Sequence, residues 1–389
     1  MKVCIVTSVY PRSHTDLEVP WFREVVRRCH ERGADVQVYA PSFRGLRTHC
    51  IDGVTVHRFR YFPARWETLT HEEGAPNKIH RFHYKLMTIG YLVLGTVGLV
   101  RLHLRERFGL FHVHWPFPHA LFAFTARRFA PASVVLNFYG ASLLLVHRYP
   151  FVRWFLNGFI RRADACVAIS SYTAARVRAI RECRVTIIPY GAAVAQPSIP
   201  PRFSPLILTV GRMIERKGFV YAIRALELVV RDVPDATLCM VGDGPVRRNL
   251  AECARECGVT QRVELPGKVS AARLEELYAS CGAFVLPSVI DSRGDTEGLG
   301  VVLMEALMWR KPVVASNVGG IVDIVSDEET GLLVPPADPV ALAGALVRVL
   351  TDSALAHRLG EEGYRHIRKT FDWEVITAQV LQLYDSPRA

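Results

Sequence analysis

Two glutamates eight residues apart, Glu297 and Glu305, frame the densest run of chemically capable residues in this 389-residue chain. The run is Asp295-Thr296-Glu297-Gly298-Leu299-Gly300-Val301-Val302-Leu303-Met304-Glu305-Ala306; it follows an apolar strand-like stretch and opens an apolar helical one. Read as one helix, eight residues rotate the second carboxylate by about 80° and raise it by ~12 Å. That separation suits a long ligand gripped at two places, because a metal needs its ligands within a few ångström of each other. Gly298 and Gly300 let a ligand approach the backbone, and the free amides that open a helix favour phosphate. The plainer alternative is a Glu305 on a solvated helix face. Its neighbours Leu303, Met304, Ala306 and Leu307 argue for burial, and a buried carboxylate needs partners.

A second run, Val210-Gly211-Arg212-Met213-Ile214-Glu215-Arg216-Lys217-Gly218, follows the first strand candidate of the second half. Arg212 and Lys217 fall at the carboxyl edge of a sheet, where ligands bind. A planar guanidinium and a point ammonium can neutralise a diphosphate without a metal. Two glycine turns follow later strands: Val241-Gly242-Asp243-Gly244-Pro245 and Leu265-Pro266-Gly267-Lys268-Val269. Each alone is ordinary loop geometry between strand and helix.

The elements that must position these residues alternate. Strand candidates are Val3–Thr7, Asp35–Tyr39, Val54–Phe59, Phe111–His114, Val134–Asn137, Ala165–Ile169 and Val185–Ile188, then Leu206–Val210, Thr237–Val241, Val263–Leu265, Ala283–Leu286, Val313–Ala315 and Leu332–Val334. Helical patterns separate them, among them Val19–Arg32, Ile79–Arg107, Ala120–Ala130, Val152–Ala163 and Ser171–Arg181. Apolar strands alternating with helices predict an α/β chain with parallel sheets covered on both faces. Four prolines between Ala195 and Pro205 mark a linker. The expectation is two doubly wound domains: residues 1–195, a linker at 196–205, residues 206–370, and a terminal helix over 371–389 that crosses back to the first domain. The ligand cleft is expected between the domains, at the carboxyl ends of the strands.

Charge divides at the same place. Residues 1–200 hold 27 Lys and Arg against 12 Asp and Glu, while residues 201–389 hold 21 against 25. A one-sided basic field calls for an anionic partner, unless it only reflects an arginine-rich composition. Leu86–Val100 is the most hydrophobic stretch and ends at Arg101, Arg105 and Arg107. It reads first as a buried core helix, with a membrane-touching helix as the alternative. Pro63–Phe82, with Trp66, Glu72 and Glu73, reads as a long loop. Nine cysteines without a C-x-x-C exclude a disulfide framework or zinc module and point to a reducing cytosol. The strand-like opening from Lys2 to Val9 does not resemble a secretory leader. No metal site is expected: His71-Glu72-Glu73 lacks a second histidine at helical spacing, and His112 and His114 are read as facing opposite ways along their strand.

Taken together, the second half resembles the retaining glycosyltransferases of family four, which have the GT-B fold of two Rossmann-like domains facing each other across a cleft. The resemblance runs through Gly211-Arg212, Lys217-Gly218, Gly242-Asp243-Gly244-Pro245, Gly267, Pro287-Ser288, Glu297 with Glu305, Lys311-Pro312-Val313-Val314-Ala315, Gly319-Gly320 and Gly331-Leu332-Leu333-Val334. The first half is similar through Arg32-Gly33-Ala34-Asp35-Val36, His112-Val113-His114-Trp115, Ala168-Ile169-Ser170 and Ile188-Pro189-Tyr190-Gly191. Phe371-Asp372-Trp373 resembles the start of the family's terminal helix.

The resemblance implies roles. Arg212 and Lys217 bind the donor diphosphate and stabilise the leaving group. Glu297 holds donor-sugar hydroxyls and Glu305 the ribose. The amides of Gly298, Leu299 and Gly300 face sugar and phosphates, and the loops at Gly242, Gly267 and Lys268 surround the nucleoside. A hexose then passes from a nucleoside diphosphate sugar, with a uridine donor favoured, to a glycan or lipid-linked acceptor, as in polysaccharide or glycolipid synthesis. The donor is a substrate, and no cofactor is implied. The absence of any Asp-x-Asp argues against the manganese-dependent GT-A arrangement.

Two departures from the family pattern bear on the first half. The turn after the first strand, Ser8-Val9-Tyr10-Pro11-Arg12-Ser13-His14-Thr15-Asp16, has no glycine, so Arg12 or His14 replaces backbone amides there. Asn137-Phe138-Tyr139-Gly140 carries tyrosine where many members have histidine, and a phenol donates a hydrogen bond but does not act as imidazole does. Tyr139 is thus the candidate contact to the donor sugar, and His114, ending its strand toward the cleft, joins Arg12 and His14 as acceptor-side candidates. Competing readings are a GT-B epimerase or hydrolase, and a non-catalytic module whose basic half holds lipid or nucleic acid. No nucleic-acid partner is expected, and no dinucleotide fingerprint follows Val3–Thr7. The expected location is the cytoplasm, including the inner face of the membrane.

Overall fold

The alternation of apolar runs produces two β/α units in the computed structural model, which describes residues 1–16, 18–71, 78, 81–192, 199–200 and 202–387. One unit comprises Met1–Gly191 with Trp373–Ala389, and the other Ala192–Asp372. Glu72, Glu73 and Ile79, and residues 195–198 and 201 of the proline-rich stretch, lie outside the described residues.

The first unit holds β1 (Lys2–Val6), β2 (Asp35–Pro41), β3 (His49–Ile51), β4 (Val54–Phe59), β5 (Leu110–His114), β6 (Ser133–Phe138), β7 (Ala165–Ala168) and β8 (Val185–Ile187). They form one sheet in the order β3-β4-β2-β1-β5-β6-β7-β8. Every pairing is parallel except β3 with β4. Along β1, Cys4 and Val6 enter one apolar layer while Val3 and Ile5 enter the other. Both faces are therefore dry, which is why the strands read as continuous apolar runs.

Helices α1 (Pro20–Glu31) and α13 (Trp373–Asp385) cover one face through Phe22, Val26, Ile376 and Val380. The other face carries α2 (Phe82–Glu106), α3 (Pro116–Ala126), α4 (Gly140–Arg148), α5 (Pro150–Ile160) and α6 (Ser171–Ile180). Arg28 and Arg32 reach Glu374, tying α1 to the terminal helix. The expectation of a buried Leu86–Val100 holds for one side of α2 only. Met87, Tyr91, Leu99 and Leu102 are buried, whereas Leu86, Ile89, Val93, Leu94 and Val97 are exposed.

The second unit holds β9 (Leu206–Val210), β10 (Thr237–Val241), β11 (Val263–Gly267), β12 (Ala283–Leu286), β13 (Val313–Ser316) and β14 (Leu332–Val334), all parallel, in the order β11-β10-β9-β12-β13-β14. Between them run α7 (Phe219–Asp232), α8 (Arg247–Glu256), α9 (Ala271–Ser280) and α10 (Val301–Met308), and α11 (Pro339–Thr351) and α12 (Ser353–Thr370) follow β14. The chain thus winds outward from the middle of each sheet in both directions. The winding reverses between β1 and β5 in the first unit and between β9 and β12 in the second. At such a reversal the loops leave in opposite directions and open a crevice at the carboxyl ends of the strands.

Candidate functional site

In the second unit the two loops flanking the reversal carry the charged residues singled out above. Past β9, Gly211 and Arg212 lead into a short 3-10 turn, Glu215–Lys217, which folds Lys217 back. A Cβ placed on Gly211 would lie 3.8 Å from the Lys217 amine, so that amine sits directly over the strand end. Past β12, the loop bearing Glu297 returns to the same place. Lys217 Nζ lies 2.5 Å from Glu297 Oε2, and both residues are only 8% exposed.

Burial pushes the Glu297 carboxyl up, but the charges of Lys217 and Arg216 outweigh it and hold the group below its ordinary value. The carboxylate form of Glu297 is therefore favoured beside Lys217. Arg212 adds a positive charge at this edge; it is exposed and has no carboxylate partner among the described residues.

Neighbouring hydrogen bonds fix these loops. Glu215 accepts from the Ser292 amide at 2.9 Å and from its hydroxyl at 2.8 Å, locking the Lys217 turn to the Glu297 loop. Arg216 donates to the Thr296 carbonyl at 3.0 Å. Gly319 and Gly320 support Glu297 from behind: the Gly320 amide donates to its carbonyl at 2.9 Å, and a side chain on either glycine would collide with the Glu297-Gly298 backbone.

One geometric expectation fails. Glu297 is not on the helix that holds Glu305, because Gly300 takes φ 92° and α10 begins only at Val301. That left-handed turn, which glycine adopts without strain, separates the Glu297 loop from the helix. Glu305 instead sits in the second turn of α10, half-buried, where Tyr278 donates to Oε2 at 2.8 Å. Burial raises its carboxyl above the ordinary value, against the opposing pull of that hydrogen bond and of Lys217. Gly298, Leu299 and Gly300 connect the Glu297 loop to the helix, with Leu299 and Gly300 buried.

The glycine turns at the ends of β9, β10 and β11 are stitched side by side. The Gly211 amide donates to Val241 and the Gly242 amide to Gly267, each at 2.9 Å. Lys268 follows as an exposed cation. Sequence reasoning missed Arg216, Ser288 and Thr296 as contributors; the last two hold buried hydroxyls without partners. Their signal was position, since all three lie in loops that leave β9 or β12.

The first unit builds an aromatic cluster at the carboxyl edge of its own sheet. His114 ends β5, and Tyr139 follows β6 and shares a 2.6 Å hydrogen bond between its hydroxyl and His114 Nδ1. Burial holds the imidazole well below its usual pKa and the phenol well above, so both are neutral at physiological pH. The other ring nitrogen of His114, Nε2, is buried without a partner. Its ring is 4% exposed rather than open at the strand end.

Trp21, Trp115 and Tyr190 pack against Tyr139. Val19 (φ 49°) and Trp115 (φ 51°) both hold left-handed backbone that non-glycine residues rarely adopt. These two residues set the entry to α1 and α3 and so orient both indoles. None of Trp21, Trp115 and Tyr190 was singled out as a site residue, although each lies by the carboxyl end of a strand.

The reading of His112 and His114 as pointing opposite ways is wrong. Residues two apart on a strand share a face, and the rings lie 4.2 Å apart. His112 meets the Tyr384 hydroxyl at 3.0 Å and Asn137 Oδ1 at 3.3 Å, and burial lowers it to about 4. Among the described residues no three His, Cys, Asp or Glu side chains converge on one point. Arg12 grips Asp16 with two nitrogens, at 2.7 and 3.2 Å, and pulls that carboxyl down to about 2. Most of its charge is thereby offset. His14 is exposed, 3.5 Å from Asp52.

The chain matches two family models that together cover most of its length. Residues 20–191 match the glycosyl transferase 4-like domain, and residues 196–366 match glycosyl transferases group 1. The uncharacterized glycosyltransferase MJ1607 of Methanocaldococcus jannaschii is 31% identical over 179 residues, 46% of this chain and 44% of that protein. The chain therefore spans less than half the length of that relative.

The GDP-mannose-dependent alpha-(1-6)-phosphatidylinositol monomannoside mannosyltransferase of Mycolicibacterium smegmatis is 28% identical over 295 residues, 70% of this chain and 75% of that one. Among solved structures, sucrose-phosphate synthase from Thermosynechococcus elongatus superposes with a TM-score of 0.75 at 21% identity, covering 99% of this chain and 98% of the other. Anabaena Alr3699/HepE in complex with UDP also gives 0.75, at 17% identity, covering 99% and 100%. The sheet order, the two matched domains and these neighbours agree: the chain belongs to the group 1 glycosyltransferases of family four, with the GT-B fold.

Proposed function

We propose that the chain moves a hexose from a nucleoside diphosphate sugar to an acceptor hydroxyl, with retention at the anomeric carbon and without a resident metal. The observation that carries this is the buried Lys217–Glu297 pair beside Gly211-Arg212, at the point where the second sheet reverses. Arg212 and Lys217 take the diphosphate, and Glu297, oriented by Lys217, takes sugar hydroxyls. Glu305 takes the ribose, the amides of Gly298, Leu299 and Gly300 line the sugar and phosphates, and Gly242, Gly267 and Lys268 surround the nucleoside.

In the step itself the bond from C1 to the diphosphate oxygen breaks. The acceptor oxygen bonds to C1 from the same face, and its proton passes to the departing phosphate. The protein's contribution is positioning and stabilisation of the leaving charge. Tyr139 takes the donor-sugar contact, the buried His114 positions it, and Arg12 and His14 serve the acceptor side. The acceptor is a glycan or a lipid-linked sugar, and the enzyme works in the cytoplasm.

A panel of uridine and guanosine diphosphate sugars, incubated with the protein without acceptor, tests this by slow release of free nucleotide. A uridine donor is the first expectation, supported by the UDP complex among the structural neighbours. The relatives named for GDP-mannose make a guanosine donor the second reading. Release that survives intact in Arg212→Ala and Glu305→Ala overturns the assignment. Fast release without acceptor favours a hydrolase or epimerase instead.

A further inference from the structure

Helix α2 shows solvent a face that a water-soluble helix does not ordinarily have. From Leu86 to Val100 it contains no charged residue. Its inner side packs into the first unit's core through Met87, Tyr91, Leu99 and Leu102. Its outer side presents Phe82, Leu86, Ile89, Val93 and Val97 at three- and four-residue spacing, with Ile89 61% and Val93 54% exposed. Such spacing draws one continuous apolar stripe about 22 Å long. The helix is long and apolar enough to cross a membrane. It cannot do so here, because its inner side is part of the unit's core.

Charge identifies what covers the stripe. Residues 81–162, which build α2 to α5 on this face of the sheet, hold 11 Lys and Arg against a single acidic residue, Glu106. Arg101 and Arg107 close the stripe at one end, and Arg81 and Lys85 flank the other. On the same face α5 exposes Phe151 and Trp154 among Arg148, Arg153, Arg161 and Arg162. Of these basic residues none pairs with a carboxylate among the described residues; only Arg105 and Arg127 of the segment do. Helix α1, on the opposite face, is the contrast: its Arg23, Arg27 and Arg28 are each paired with a carboxylate. Next to α2 an open notch is lined by His57, Arg101 and Arg105, a setting for an anionic headgroup.

We infer that this face docks on an anionic lipid bilayer, with α2 lying in the plane of the interface. The apolar stripe sinks among the acyl chains and the arginines meet lipid phosphates. An acceptor with a lipid anchor would then be met at the membrane surface, and to that extent the inference rests on the transferase reading.

The test is flotation of the intact chain with vesicles of phosphatidylcholine alone, and with vesicles containing phosphatidylglycerol. Wild type is expected to float with the anionic vesicles and to weaken as salt rises. Ile89→Glu with Val93→Glu, at exposed positions that leave the core intact, is expected to abolish flotation at any salt. Arg101→Gln with Arg107→Gln is expected to lose roughly fivefold in binding per arginine and the preference for anionic lipid. Wild type that fails to float, or an Ile89→Glu, Val93→Glu variant that floats as well as wild type, overturns the inference. So does a lipid-free dimer that this variant dissociates, since the stripe would then be covered by a second copy. Nucleotide binding measured on the same preparations separates loss of docking from failure of the transferase reading.

Discussion

Lys217 and Glu297 come from loops on opposite sides of the point where the second sheet reverses, and they meet as a buried ion pair 2.5 Å apart. Eighty residues of chain separate them. The pair does two things at once: it pins the Glu297 loop beside β9, and it leaves net positive charge at the site to cations such as Arg212.

Breaking this pair from one side costs stability as well as activity. Lys217→Met leaves a buried carboxylate without its cation and should destabilise the fold by about 3 kcal/mol, measured by urea unfolding at neutral pH. Glu297 titrates below its ordinary value in the folded chain. Its contribution is therefore present above its unfolded pKa of about 4.3 and is lost as the pH falls through the folded value. The gap between wild type and Lys217→Met should accordingly narrow in acid. The double variant Lys217→Met, Glu297→Gln should recover much of the stability and none of the transfer activity. Recovery of both would remove the pair from the chemistry.

Glu305 has the opposite sign. Burial raises its pKa, so the ionised form is disfavoured in the folded chain. Its contribution to stability is greatest below the unfolded value of about 4.3 and is lost as the pH rises through the folded one. If ionised Glu305 holds the ribose, donor affinity should start to fall at a pH above the ordinary carboxylate range, and Glu305→Gln should flatten that dependence. Tyr278→Phe should cost about 1–2 kcal/mol by removing the hydrogen bond to the carboxylate, and should move the pH dependence further up. Calorimetric titration of nucleotide across pH checks both.

Tyr139→Phe removes the hydroxyl that hydrogen-bonds His114 Nδ1 inside a buried aromatic cluster. The expected cost is about 1–2 kcal/mol in thermal or urea unfolding, because an imidazole nitrogen is left without a partner. Unchanged turnover and donor affinity in the same variant would confine Tyr139 to a structural role.

How much of this was legible in the residues depends on the kind of signal. Strands such as Leu206–Val210 and Ala283–Leu286 stand out as apolar runs because both faces of each sheet are dry. The strand His49–Ile51 was missed, since three residues carry no period, although the Asp52-Gly53 turn that joins it to β4 is a strong hairpin signal. The glutamates at 297 and 305 were visible as a spacing, but spacing could not show that Gly300 breaks the run and puts only Glu305 on a helix. The partnership of Lys217 with Glu297 depends on sheet order, which no local pattern contains. Composition marked α2 as apolar, yet only packing shows that one side of it is left bare.

Removing divalent ions should not matter. Transfer or slow donor hydrolysis in excess chelator should stay within about twofold of the untreated rate, since the proposed leaving-group charge is met by Arg212 and Lys217. A requirement for magnesium or manganese would give that role to an ion.

The most direct measurement is calorimetric titration of UDP, and of GDP, into the intact chain and into Arg212→Ala, both in chelator. One nucleotide should bind the wild type in the micromolar range, with a loss of roughly tenfold or more when the exposed guanidinium is removed. Equal affinity in the two proteins, or binding that appears only when a divalent ion is restored, would contradict it.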